Sequence, residues 1–148
     1  MITITKRLEF DAGHRIPDHH SVCRNLHGHR YALELSLEGE LGDTPGSPDH
    51  GMVMDFSHVK AIAKEHVVDP WDHAFLVYEQ DRAVAEFLRG LPDHKTVVLD
   101  CIPTAENLAK RAFDTLAPLI ERKYGKNLRL RKVRLYETPN SWAEYAAP

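Results

Sequence analysis

"CRNLHGHRYALELSLE", residues 23–38, is the most informative stretch of the chain. From Arg30 onward its polarity alternates. Tyr31, Leu33, Leu35 and Leu37 share one parity, and Arg30, Glu34, Ser36 and Glu38 share the other. A period of two marks a strand with one covered face, here over residues 29–38. His27 and His29 are two apart and have the parity of Tyr31, so an extended chain carries them onto the covered face. Cys23 stands four residues before His27.

The same pattern opens the chain. Over residues 2–14, Ile2, Ile4, Leu8, Phe10 and Ala12 share a parity, and Thr3, Thr5, Arg7, Glu9 and Asp11 oppose them. Lys6 is the one exception, and His14 continues the apolar side. Two adjacent strands therefore bring three histidines to one end of the covered face. Burying an imidazole without a partner costs roughly 1–3 kcal/mol. The competing reading is three hydrogen-bonded core or strand-end residues. An HxH pair with a third histidine on matched parity favours a metal. Three histidines with an open fourth position are the ligand set of catalytic zinc, with iron, copper and nickel as the other metals that imidazole suits. His19, His20, His50, His58, His66 and His94 fall in loops or on polar faces and read as bystanders.

Outward from these strands the elements follow. "GELGDTPGSPDHG", residues 39–51, is turn-rich and reads as a loop, and "MVM", 52–54, as a short strand. Asp55 is placed to cap a helix with Phe56, Val59, Ile62, Ala63 and Val67 on one face. Residues 81–89 read as a short helix and 96–100 as a short strand. Thr104 caps the longest helix, to about Tyr124, with Leu108, Ala112, Phe113, Leu116, Leu119 and Ile120 facing inward and Gly125 as its stop. Pro118 is expected to bend it. Residues 128–138 and 141–146 read as two more strands around a tight turn. The expectation is an α+β fold: a four-stranded antiparallel sheet with helices on one face. Its two open edges invite pairing with another subunit.

The bulk numbers exclude several classes. The 148 residues suit one domain, 1–148, with a real core, and 43% hydrophobic with 28% charged residues is ordinary globular composition. A net charge of -3 gives no support for nucleic-acid binding, and no apolar run approaches the ~20 residues of a membrane span. Two cysteines make no disulfide framework, and the alternating "MITITKRLEF" lacks a signal peptide's apolar block, so a cytoplasmic protein is expected. There is no internal repeat.

Four further groups carry chemistry. Cys23 is either a fourth ligand, which would close the site and make it structural, or a proton-transfer thiol standing off the metal. In "WDHAFL", Asp72 directly precedes His73, as an orienting carboxylate or as an ordinary exposed turn. Glu137 has the inward parity of Val133 and Leu135 and needs N–H partners, from the protein or from a guanine-like ring. Glu106 suits the first turn of its helix. Cys101, beside Ile102 and Pro103, reads as a small buried hydrophobe.

"FDAGH", "CRNLHGH", "MDFSHVK", "WDHAFL", "PTAENLA" and "YETP", in this order, resemble the 6-pyruvoyl- and 6-carboxy-tetrahydropterin synthase family across essentially the whole chain. The three-residue gap between Cys23 and HGH is similar to that of the carboxy type of queuosine biosynthesis. Residues 78–100 are longer than in the shortest members, and Gly13 stands where many have alanine. The resemblance implies zinc on His14, His27 and His29, a catalytic Cys23 with Asp72 and His73 as its proton relay, and substrate contacts from Glu137 and Glu106. It implies the tunnelling fold, with sheets from several subunits joined into a barrel and sites between subunits. It also implies a trimer-based homo-oligomer, commonly a hexamer made as a dimer of trimers. The substrate implied is 7,8-dihydroneopterin triphosphate, converted to 6-carboxy-5,6,7,8-tetrahydropterin with loss of triphosphate and acetaldehyde. Arg24 and Arg15 are placed by charge and proximity to meet the phosphates. The nearest rival is a 6-pyruvoyl-tetrahydropterin synthase, with the same site and no acetaldehyde released. A non-catalytic zinc-binding protein would have no use for Cys23, Asp72, His73 and Glu137 together. A zinc hydrolase would need a general-base carboxylate at the metal, and no HExxH is present.

Overall fold

The computed structural model describes all 148 residues. Strand β1 (Ile2–His14) and strand β2 (His27–Gly39) pair antiparallel over their whole length, with His14 opposite His27 and Ala12 opposite His29. Alternation drives this pairing, as Phe10, Tyr31, Leu33, Leu35 and Leu37 are all buried on one side. β2 begins at His27, two residues earlier than the alternation marks. Between the two ligand-parity histidines the strands approach too closely for a side chain. A Cβ on Gly28 would meet the Ala12 carbonyl oxygen at 2.9 Å, so this position needs glycine.

After the 39–51 loop, α1 (Phe56–Ala63) starts at Asp55, whose carboxylate accepts the Ser57 N–H. It runs through a π-turn, Lys64–Val68, into the short α2 (Asp69–Trp71). "MVM" at 52–54 is not a strand: Val53 and Met54 pack on the core from an irregular segment. Strand β3 (Ala74–Tyr78), helix α3 (Arg82–Arg89) and strand β4 (Thr96–Leu99) follow. Helix α4 (Ala105–Tyr124) is capped by Thr104, which accepts the Asn107 N–H, and ends at Gly125, where φ is +67°. Pro118 lies inside α4 without breaking it, on its exposed side. Strands β5 (Leu128–Thr138) and β6 (Ser141–Ala146) close the chain.

The sheet has six strands in the order β4-β3-β1-β2-β5-β6, so the expected four-stranded antiparallel sheet is corrected to a mixed one. β3 and β4 run parallel to each other, and β3 pairs with β1 only at Ala12 and Gly13. The four expected strands stand in their antiparallel order. What extends them is the apolar β3, covered on both faces. Leu76 joins the main core, and Val77 joins a small cluster with Val84, Ala85 and Leu88 of α3. Neighbours on a strand point to opposite faces. Hence α3 lies across the sheet from α4, and helices are not confined to one face.

Two bulges aim β5. Ser36 pairs with Lys132 and Leu37 with Leu130, which leaves Arg131 unmatched and switches the inward parity from Leu128 and Leu130 to Val133 and Leu135. Tyr136 pairs with Trp142 and Thr138 with Ser141, so Glu137 is the extra residue of a second bulge. The helix-free face of β1 and β2 carries ion pairs such as Arg7–Glu34 (3.1 Å) and Arg30–Asp11 (2.9 Å). No helix is long and apolar enough to cross a membrane.

Candidate active site

The three histidines meet where β1 and β2 end. Each offers a ring nitrogen, and these atoms all lie within 4.8 Å of one another. Backbone carbonyls select the tautomers. His14 Nδ1 lies 2.7 Å from the Pro103 carbonyl, and His27 Nδ1 lies 2.7 Å from the Asn25 carbonyl. A carbonyl only accepts, so both Nδ1 atoms carry the proton and both Nε2 atoms keep a lone pair. Orientation of a ligand histidine through its second nitrogen is the usual support of a metal site.

His14 is 1% exposed, and its Nε2 has no hydrogen-bond partner. Glu137 Oε1 lies 3.8 Å from that nitrogen. The pair is not an ion pair at neutral pH. Burial, against the opposing hydrogen bond to Pro103, lowers the His14 pKa from 6.5 to about 4, with His27 and His29 adding to the fall. Burial likewise lowers the His29 pKa. A buried lone pair therefore faces a carboxylate, an arrangement that a cation relieves. The donor set of three imidazoles fits zinc.

The His14 shift predicts a pH dependence for the metal-free protein. The folded pKa lies below the unfolded one, so between pH 6.5 and about 4 the unfolded chain binds more protons. Stability is intact above pH 6.5 and is lost as pH falls toward 4, by an amount on the order of 3 kcal/mol at about 1.4 kcal/mol per pH unit. Urea midpoints that stay level across this window would remove His14 from the interior.

Cys23 sits in a single 3-10 turn, Val22–Arg24, held to the end of β1 by Ile16 N–H donating to the Cys23 carbonyl at 2.9 Å. Its half-buried thiol lines one cleft of about 400 Å³ with His14, His27, His29, Glu106 and Glu137. The sulfur is not within the 4.8 Å group of ring nitrogens, which separates it from the ligand set. Thr104, Ala105 and Glu106 bring the N-terminus of α4 to the same cleft, and Ser141 and Trp142 bring β6. Glu137 keeps the inward parity of Val133 and Leu135 and sits at the second bulge of β5, with its side chain 28% exposed.

Asp72 and His73 form the pair that their adjacency suggested, with Asp72 Oδ2 3.0 Å from His73 Nδ1. The turn is pinned to β1 on both sides: His73 N–H donates to the Asp11 carbonyl (2.6 Å), and Asp11 N–H donates to Asp72 Oδ1 (3.0 Å). That bond, then the one from His73, holds the Asp72 carboxyl below its usual range. His73 has φ +58°, a left-handed conformation that costs a non-glycine residue about 1–3 kcal/mol. Its ring is 76% exposed, and it lines a second cleft with Asp11, Gly13 and Arg30, which meets the first at His27 and His29. Within one chain, His73 and Cys23 do not share a cleft.

Sequence reading missed several supports. The carbonyls of Pro103 and Asn25 have no side-chain signature. The Tyr31 hydroxyl is buried without a partner beside the His14 and His29 rings. Arg15, expected to be free for an anion, is clamped by the buried Asp81 through two bonds of 2.6 and 2.5 Å. The Arg24 guanidinium donates only to the His20 carbonyl, at 3.3 Å.

Comparison with known proteins places this geometry. Residues 3–148 match the family described as 6-pyruvoyl tetrahydropterin synthase. The chain is 35% identical to a 6-carboxy-5,6,7,8-tetrahydropterin synthase of Rickettsia felis, covering 97% of this chain and 99% of that protein. It is 36% identical to a 6-carboxy-5,6,7,8-tetrahydropterin synthase of Haemophilus influenzae, covering 98% and 99%. Its fold is similar to the structure of Caenorhabditis elegans 6-pyruvoyl tetrahydropterin synthase, at 26% identity and a TM-score of 0.67, covering 99% of this chain and 96% of that one.

Proposed function

The chain belongs to the 6-pyruvoyl tetrahydropterin synthase family, and from that premise we propose that it is a zinc-dependent 6-carboxy-5,6,7,8-tetrahydropterin synthase. Its substrate is 7,8-dihydroneopterin triphosphate, and triphosphate and acetaldehyde are lost. The observation that carries this reading is the single cleft that gathers three imidazoles, a thiol outside their group, and Glu137. The carboxy rather than the pyruvoyl product is favoured because the similar proteins of Rickettsia felis and Haemophilus influenzae both bear the carboxy name.

His14, His27 and His29 would hold the zinc, which when bound would supply Lewis acidity that lowers the cost of enolate-like charge on the substrate side chain. Glu137 anchors the pterin by accepting from its amino and ring N–H groups. Glu106 borders the same cleft at the N-terminus of α4 and contributes a second carboxylate to substrate binding. Cys23 as thiolate takes a carbon-bound proton from the substrate side chain. His73, oriented by Asp72, exchanges that proton. Arg24 is the cation available to the triphosphate; Arg15 is engaged elsewhere.

The relay requires assembly. Cys23 and His73 line different clefts in one chain, which meet at His27 and His29, and in the proposed assembly His73 reaches Cys23 from a neighbouring copy. β6 is a free edge, and β1 is unpaired on one side from Ile2 to Asp11. Joining these edges builds the trimeric barrel, two of which stack as the hexamer, in a cytoplasmic enzyme of the queuosine pathway. Mixed subunits test this directly. Cys23→Ala and His73→Ala proteins, each strongly impaired alone, are expected to regain activity when refolded together, since some interfaces then join intact halves. Monomers by light scattering, or no recovery on mixing, would rule the shared site out.

Product identification tests the reaction. Zinc-loaded protein with 7,8-dihydroneopterin triphosphate should release acetaldehyde and the carboxy product by mass; a pyruvoyl product without acetaldehyde would move it to the sister activity. Glu137→Gln presents an amide donor where the pterin N–H groups need an acceptor. Leaving such groups unpaired costs roughly 1–3 kcal/mol. Pterin affinity is expected to fall about tenfold or more, and equal affinity by calorimetry would remove Glu137 from the site.

A further inference from the structure

We propose that Lys95 is a positioning residue for His73. This deepens the assignment of His73 as a proton-exchanging group and rests on it. Lys95 immediately precedes β4, in the segment between β3 and α4. Its ammonium donates to two backbone carbonyls at once, those of Asp69 and Asp72, each at 2.6 Å. The first belongs to the short helix α2, and the second to the residue that caps its C-terminus. Carbonyls at a helix end lack intrahelical donors, and the helix dipole there favours a cation.

The Asp72 carbonyl belongs to the peptide that leads into His73. A left-handed residue keeps its conformation only when its surroundings hold the peptides on either side. On the His73 side, its N–H is bound by the Asp11 carbonyl at 2.6 Å. Across the same peptide, the oxygen is bound by Lys95. The next residues are also tied to Lys95, because Phe75 N–H donates to the Lys95 carbonyl at 3.1 Å and Phe75 pairs with Thr96. Lys95 thus grips the turn from the side opposite β1. Without it, the peptide between Asp72 and His73 is held from one side only, and the ring of His73 is free to swing from the line that Asp72 sets. Misplacement by about 1 Å is enough to cost a proton-transfer group up to about a hundredfold in rate.

Lys95→Met keeps the aliphatic stem and removes the donors. It is expected to lower kcat by roughly ten- to a hundredfold with KM and zinc content unchanged. Lys95→Arg, which still donates to carbonyls, should restore most of the loss. In a His73→Ala background Lys95→Met should add little, because a residue that acts through another has nothing left to act on. A full additional loss in that background would overturn the proposal, and so would an unchanged kcat in the single variant. A second readout stands apart from turnover: the His73 amide, measured by hydrogen exchange, should lose about tenfold in protection in Lys95→Met while the Leu33 amide in β2 keeps its own. If the wild-type protein fails to turn over the pterin, the reaction assignment fails, and the exchange result still decides whether Lys95 holds the turn. Unchanged His73 protection overturns it.

Discussion

His14→Ala is expected to yield a folded chain that has lost its zinc and all measurable turnover. Three terms decide this. The first is ligation: a site of three imidazoles reduced to two loses one of its three metal bonds, and the loss in affinity should exceed the roughly 10–100-fold that removal of a supporting partner costs. The second is the fold. His14 donates to the Pro103 carbonyl, which joins the end of β1 to the start of α4. Alanine leaves that carbonyl without its donor at a cost of about 1–3 kcal/mol. The third term opposes the second: the variant no longer buries a lone pair 3.8 Å from the Glu137 carboxylate. In the metal-free protein the second and third terms partly offset each other, so the variant stays folded. In the presence of zinc only the wild type gains stability, by mass action. Metal analysis after gel filtration and thermal unfolding with and without zinc measure both effects. A variant that retains about one zinc per chain would place the metal elsewhere.

The histidines were legible because a strand has a period of two. His14, His27 and His29 follow Ala12 and precede Tyr31 on the buried parities, and their register, His14 against His27, follows from full-length pairing of β1 and β2. α4 was legible for a similar reason, with Thr104 and Gly125 marking its ends. β3 was not. "AFLVY" buries Leu76 against the main core and Val77 against α3, so it shows no alternation. The bulges of β5 escape notice as well, since Arg131 looks like any other basic strand residue, and only its lack of a partner on β2 reveals the parity switch. The supports of the site are hardest to see. The carbonyls of Pro103, Asn25 and Asp72 could belong to any residue type, and what selects them is proximity, which comes from the fold.

The roles of "CRNLHGH" can be pulled apart by one substitution. Cys23→Ala is expected to leave zinc in place and lower turnover by a factor on the order of 10² or more, the usual contribution of a positioned acid or base. Its turn is held by backbone, through Ile16 N–H on the Cys23 carbonyl, so loss of the thiol does not release the loop. The side chain is only half-buried and the replacement is small, which keeps the stability change within about 1 kcal/mol. The sulfur stands outside the group formed by the three ring nitrogens, so ligand count is unchanged. Glu137 still faces the cleft, so pterin binding should persist while the proton step fails, and the loss should fall in kcat rather than KM. Two results would redraw the site. Loss of zinc would make the thiol a fourth ligand and the centre a closed, structural one. Full activity with zinc retained would give the proton to another group, His73 first among them.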